Sequence, residues 1–149
     1  MNPTKAIACT LLLLARPLVA AEAEPEPVPE PEVQVVTKFV DELEKAVGEG
    51  DQKKVQALIH RASHDFFSDE AAISTLFGER WAAPVDFKIK KIAYFKKSDG
   101  LAPPGLDPGK FPETPQYLIE VTSEGTTCVY FLATEKEGLK LIFRATPAK

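Results

Sequence analysis

The alternation of apolar and polar residues is most regular toward the C-terminus, over Tyr117–Ala145. It predicts three strands, Tyr117–Ser123, Thr127–Thr134 and Leu139–Ala145. They are joined by Glu124-Gly125 and by Glu135-Lys136-Glu137-Gly138, glycine-containing connections of hairpin length. A two-residue turn at Glu124-Gly125 pairs Ser123 with Thr126, and hence Val121 with Cys128, Ile119 with Tyr130 and Tyr117 with Leu132. A four-residue loop then pairs Thr134 with Leu139, Leu132 with Leu141 and Tyr130 with Phe143. In that register one face of the meander is apolar throughout and has to be buried. The opposite face carries Leu118, Phe131 and Ile142 in one row and Glu120, Val129 and Arg144 in the next.

Upstream the period changes from two to that of a helix. Val36, Phe39, Val40, Leu43 and Val47 share one side of a predicted helix over Val33–Val47, and Gly48 and Gly50 end it. Asp51 is placed to cap a second helix over Gln52–Arg61, with Val55, Leu58 and Ile59 inward. His60–Phe67 is read as a helix end followed by a short extended piece at Asp65-Phe66-Phe67. Ser68 then caps a third helix that buries Ile73, Leu76 and Phe77 and ends at Gly78, and Trp81 follows as a large anchor. In Val85–Lys96 the alternation slips by one residue at Lys90-Lys91, the signature of a β-bulge, so this strand is expected to bend. Lys97–Gln116 holds five prolines and cannot be a central strand. It is expected to be a mobile decoration, with a lid or partner loop as the alternative.

Composition places this domain between segments of other kinds. Lys5, the apolar run Ala6–Ala15 and the small residues Val19, Ala20 and Ala21 have the layout of a signal peptide over residues 1–21, which implies export to a periplasm or the medium. Residues 22–32, where prolines alternate with glutamates, read as an acidic linker, and residues 33–149 as a single α+β domain. Loss of Lys5 and Arg16 with the leader lowers the basic count from 18 to 16, against 22 acids. That balance argues against a general nucleic-acid binder. Cys128 is then the one remaining cysteine, so no internal disulfide is expected, and its place on the apolar face predicts a buried, inert thiol.

The order helix, helix, short extended piece, helix and four antiparallel strands, with a bend in the first, resembles the nuclear-transport-factor-2-like (SnoaL-like) cone-fold superfamily. Locally the resemblance is carried by Phe39, Leu43, Ala46, Gly50, Asp51 and Leu58, an aromatic-led helix ending in Gly-Asp before a helix that turns a leucine inward. The resemblance implies a curved sheet wrapped around the helices to form a cone with a pocket, and an outer sheet face through which many such domains dimerise. Its members include isomerases, dehydratases and cyclases as well as binding domains without catalysis. No active-site motif maps onto this chain, so the resemblance assigns no catalytic role.

The candidate chemistry follows from these placements. Tyr94, Tyr117 and Tyr130 project toward the interior, where a hydroxyl needs a partner. His64, Asp65 or Asp86 could meet one of them and act as a base. His60 and His64 stand four residues apart with Asp65 beside them, but solvent-facing residues at a helix end account for them better than a metal, and no cofactor is expected. Lys88, Lys90, Lys91, Lys96 and Lys97 are read as guards of a strand edge. Leu118, Glu120, Phe131, Ile142 and Arg144 form a candidate interface on the outer face. The expectation is an α+β domain, its N-terminal helices packed on a curved antiparallel sheet, that binds a small apolar ligand in the cone or a protein partner, including a second copy, on the sheet's back. The alternative is a small cofactor-free enzyme performing proton transfer in the cone.

Overall fold

The first helix begins inside the proline- and glutamate-rich stretch. In the computed structural model, which describes residues 26–95 and 114–145, α1 spans Glu30–Glu49. Glu30, Pro31 and Glu32, read as linker, are the first three residues of this helix. Pro31 sits in the first turn, where its missing N–H costs no hydrogen bond, and Glu30 and Glu32 lie where the helix dipole favours negative charge. The expected leader, residues 1–21, and nearly all of the proline-rich loop fall outside the described residues.

α1 buries Val36, Phe39, Val40, Leu43, Ala46 and Val47 along one stripe. It stops at Gly50, whose φ of 64° is the left-handed conformation that glycine adopts without strain. Asp51 caps α2 (Gln52–Leu58), accepting the Lys54 N–H at 3.1 Å. The next segment differs from expectation. Arg61–Phe66 is a 3-10 turn, and the strand-like contact lies earlier, where Ile59 bridges Leu141 in parallel and the His60 N–H donates to the Leu141 carbonyl at 2.8 Å. α3 (Glu70–Phe77) is capped by Asp69, one residue beyond Ser68, through a 2.7 Å bond from the Ala72 N–H. A short 3-10 turn, Gly78–Arg80, follows it.

β1 (Lys88–Tyr94), β2 (Tyr117–Ser123), β3 (Thr126–Glu135) and β4 (Gly138–Ala145) form an antiparallel meander in the order β1-β2-β3-β4. β1 is shorter than Val85–Lys96, but its register shifts between Ile89 and Lys91, so Lys90 is the extra residue of the expected bulge. The β2–β3 pairing is the expected one from Tyr117–Leu132 to Ser123–Thr126. Its turn has positive φ at both Glu124 (50°) and Gly125 (77°), the twist that suits a two-residue hairpin.

The β3–β4 pairing is as expected only in part. Thr134–Leu139 and Leu132–Leu141 pair, and Glu135–Gly138 extends the ladder, leaving Lys136-Glu137 as the loop. Beyond Leu141 the register shifts, Ile142 becomes an extra residue, and Phe143 faces Phe131 while Arg144 faces Tyr130. Each side chain after the bulge thereby changes face. The expected Tyr130–Phe143 pair and the outer placement of Arg144 are both corrected by this one residue.

The helices pack on the inner face of the sheet. α1 contacts β1 and β4, α2 contacts α1, α3 and β4, and the core gathers Phe39, Leu43, Val55, Ile73 and Phe77 against Ile119, Tyr130, Leu132 and Leu141. A second apolar cluster on the other face joins Leu118, Val129, Phe131 and Ala145, with Phe95 and Phe143 against it.

Candidate functional site

Tyr94 and Tyr117 face each other across β1 and β2, with ring centroids 5.7 Å apart and planes within 25°. Both hydroxyls donate to one carboxylate, that of Glu32 in the first turn of α1; the Tyr94 bond measures 3.0 Å. Gln116 donates to the Tyr117 hydroxyl at 3.3 Å and accepts from Thr134 at 2.7 Å. Burial first, and Glu32 next to it, push the Tyr117 hydroxyl well above its ordinary pKa, and the same two causes raise Tyr94. Both tyrosines therefore remain neutral donors at any ordinary pH. The tyrosines were expected to need partners, but Glu32 lay in a stretch whose composition reads as linker. With two phenols donating to it, one on each oxygen, its carboxylate ties α1 to the sheet.

The other acid–base candidates do not gather with the tyrosines. His64 is half-buried and its Nε2 donates to the Ile59 carbonyl at 2.9 Å. His60 is buried, not solvent-facing as expected. Its Nδ1 accepts the Ala62 N–H at 3.1 Å, which places the proton of the neutral ring on Nε2, 3.5 Å from the Glu135 carboxylate. Asp65 is exposed, and Asp86, also exposed, pairs with Lys88 at 3.2 Å. Among the described residues no three of His, Cys, Asp and Glu lie close enough to hold a metal ion.

Tyr130 lies in the middle of β3 on the inner face, opposite Ile119. Burial raises its pKa, while Arg144, brought inward by the β4 bulge, opposes that shift. The Arg144 guanidinium carbon lies 5.8 Å from the Tyr130 ring centre and 6.0 Å from that of Phe77. Its Nη1 donates to the Leu76 carbonyl at the end of α3, where a cation complements the helix dipole, and its Nη2 lies 2.8 Å from Cys128 Sγ. Arg80, from the turn after α3, donates to the Ser123 carbonyl at 3.1 Å. Three buried polar atoms here have no hydrogen-bond partner among the described residues: Nε of Arg80, Nε of Arg144 and Oγ of Ser123. Sequence reasoning missed this cluster because Arg144 was assigned to the other face.

Arg144 also borders an open groove of about 460 Å³. The 3-10 turn contributes Phe66 and Phe67 to it, α3 contributes Ala72 and Leu76, and β4 contributes Phe143 and Arg144. Phe66 is 66% exposed, the most exposed large apolar side chain among the described residues. On the outer face, Leu118 and Phe131 are buried at 2% and 0% exposure, Ile142 is buried and Glu120 is half-buried. Cys128 is buried as expected and forms no disulfide. No helix among the described residues is long and apolar enough to cross a membrane. No protein-family model, curated protein or solved structure matches the chain.

Proposed function

We propose that the protein is an exported, non-catalytic binding domain of the nuclear-transport-factor-2-like type that takes a small apolar ligand in the groove between the 3-10 turn, α3 and β4. One observation carries this reading: Phe66 lies largely in solvent at the lip of a groove floored by Phe67, Leu76 and Phe143. A large exposed aromatic beside a concave apolar surface is the ordinary make-up of a small-molecule site. Export is supported by the leader-like pattern of Lys5 and Ala6–Ala15, and the cone type by helices packed on a four-stranded antiparallel sheet whose first strand is bulged. The enzyme alternative needs an acid or base free beside a tyrosine, and Glu32, which does touch two tyrosines, already accepts from both. The outer row is a weaker binding surface, because Leu118 and Phe131 are buried.

The test is titration of the isotopically labelled mature chain with N-phenyl-1-naphthylamine, a neutral apolar fluorophore. Amide shifts should cluster at Phe66, Leu76 and Phe143. Phe66→Ser should weaken binding at least fivefold while leaving the melting temperature close to wild type, since so exposed a side chain contributes little to the core. Shifts confined to another part of the molecule, or wild-type affinity in Phe66→Ser, would remove the groove from consideration.

A further inference from the structure

We infer that the ligand of this groove is a flat aromatic molecule, and that Ser63 and Arg144 are the positioning residues that hold the groove's walls for it; the inference rests on the groove being the binding site. One wall is the 3-10 turn that carries Phe66 and Phe67, another is α3 with Ala72 and Leu76, and β4 contributes Phe143. The turn and the helix are both fastened to one irregularity of β4, the bulge at Ile142. From the turn, the hydroxyl of Ser63, a residue only 1% exposed, donates to the Ile142 carbonyl at 2.9 Å. Toward the helix, the bulge turns Arg144 inward, where its Nη1 donates to the Leu76 carbonyl and its Nη2 lies 2.8 Å from Cys128 Sγ.

Walls held in this way suit a rigid body. Three of the lining side chains, Phe66, Phe67 and Phe143, are aromatic, and a planar π system packs well against ring faces and edges. The polar side chains of the lining are turned to the protein. Thr75 Oγ1 donates to the Ala71 carbonyl at 2.7 Å, and both Nη atoms of Arg144 are engaged. Recognition then rests on shape and apolar contact more than on hydrogen bonding. A flexible chain gives up freedom at each bond when it settles into an open groove, whereas a fused ring is rigid already. That advantage lasts only while the walls keep their separation, because an alkyl chain can follow a wall that moves and a ring cannot.

Calorimetric titration with N-phenyl-1-naphthylamine and with 1-decanol tests this. The wild-type chain should bind the aromatic probe about fivefold or more tightly than the alcohol. Arg144→Met and Ser63→Ala, which each remove one tie, should each weaken the aromatic probe about fivefold or more and leave 1-decanol within about twofold. Gly50→Ala, which weakens the fold at a residue that does not line the groove, should keep the wild-type ratio, so that lost stability by itself does not imitate the effect. Equal affinity for the two probes in wild type, a ratio unchanged in either folded tie variant, or a ratio that falls as far in Gly50→Ala would overturn this inference and leave the groove standing. Amide shifts from the aromatic probe that fall away from Phe66, Leu76 and Phe143 would overturn the groove reading, and this inference with it. Should Arg144→Met lose its cooperative melt, Ser63→Ala decides alone, and an unchanged ratio in that folded variant refutes the positioning role.

Discussion

If Glu32 ties α1 to the sheet, its removal and the loss of a tyrosine hydroxyl should be energetically coupled. The pair to test is Glu32 with Tyr117, because Tyr117 is buried and its hydroxyl donates to that carboxylate. A hydrogen bond to a charged acceptor contributes about 1.5–3 kcal/mol, and the half-buried position of Glu32 argues for the lower end. Glu32→Ala strands the donors and should cost about 2–3 kcal/mol, Tyr117→Phe about 1–2 kcal/mol, and their coupling in a double-mutant cycle should be about 1–1.5 kcal/mol. Urea unfolding followed by the fluorescence of the single, half-buried Trp81 gives all four stabilities. Hydrogen exchange should also show the first turn of α1 fraying in Glu32→Ala, with Val40–Val47 still protected. A coupling below about 0.3 kcal/mol, the ordinary scatter of independent sites, would mean that the contact holds nothing together.

The same tyrosines predict an alkaline limit. Below their ordinary pKa, near 10, folded and unfolded chains are both protonated; above it the unfolded chain releases protons that folded Tyr94, Tyr117 and Tyr130 retain. Unfolding free energy should therefore be flat from about pH 7 to 9 and fall as pH rises past about 10, with a shallower fall in Tyr117→Phe; identical slopes would contradict the assignment. Gly50→Ala should cost about 1–3 kcal/mol, read as a drop in calorimetric melting temperature, because φ is 64° and the added methyl would lie 2.7 Å from Cβ of Ala82. A loss below about 0.5 kcal/mol would show that the α1–α2 corner relaxes freely.

What could be read from the chain, and what could not, divides by how many registers a segment fits. β2 and β3 alternate cleanly around a two-residue turn, so a single register buries one face and the pairing was legible throughout. The β1 bulge was legible because two adjacent lysines interrupt the period. In β4 the run Leu141-Ile142-Phe143 is apolar at three successive positions, so either phase buries a large side chain and local pattern cannot choose. Glu32 failed for a different reason. Its neighbours Pro29 and Pro31 dominate any local reading, and only the two tyrosines, brought close by the sheet, show that it belongs to the folded unit. His60 was placed in solvent because the parallel bridge from Ile59 to Leu141, which buries it, joins residues distant in sequence.

The candidate site depends on that ambiguous run. Without the extra residue at Ile142, Arg144 would point to the back of the sheet, in the row of Glu120 and Val129, and a surface ion pair of under about 1 kcal/mol would be its natural fate. With it, the guanidinium lies near Phe77 and Tyr130 and holds the end of α3 through the Leu76 carbonyl, and the Arg144 side chain borders an apolar groove. A bulge that re-aims one side chain can therefore convert a sheet otherwise suited to pure core packing into one with a charged contact at its rim. It follows that deleting Ile142 should leave much of the hydrophobic burial intact in kind while taking the cation out of the groove. The placement of Arg144 is therefore separable from the packing of the core around it, where an ordinary core position would be filled by another apolar side chain.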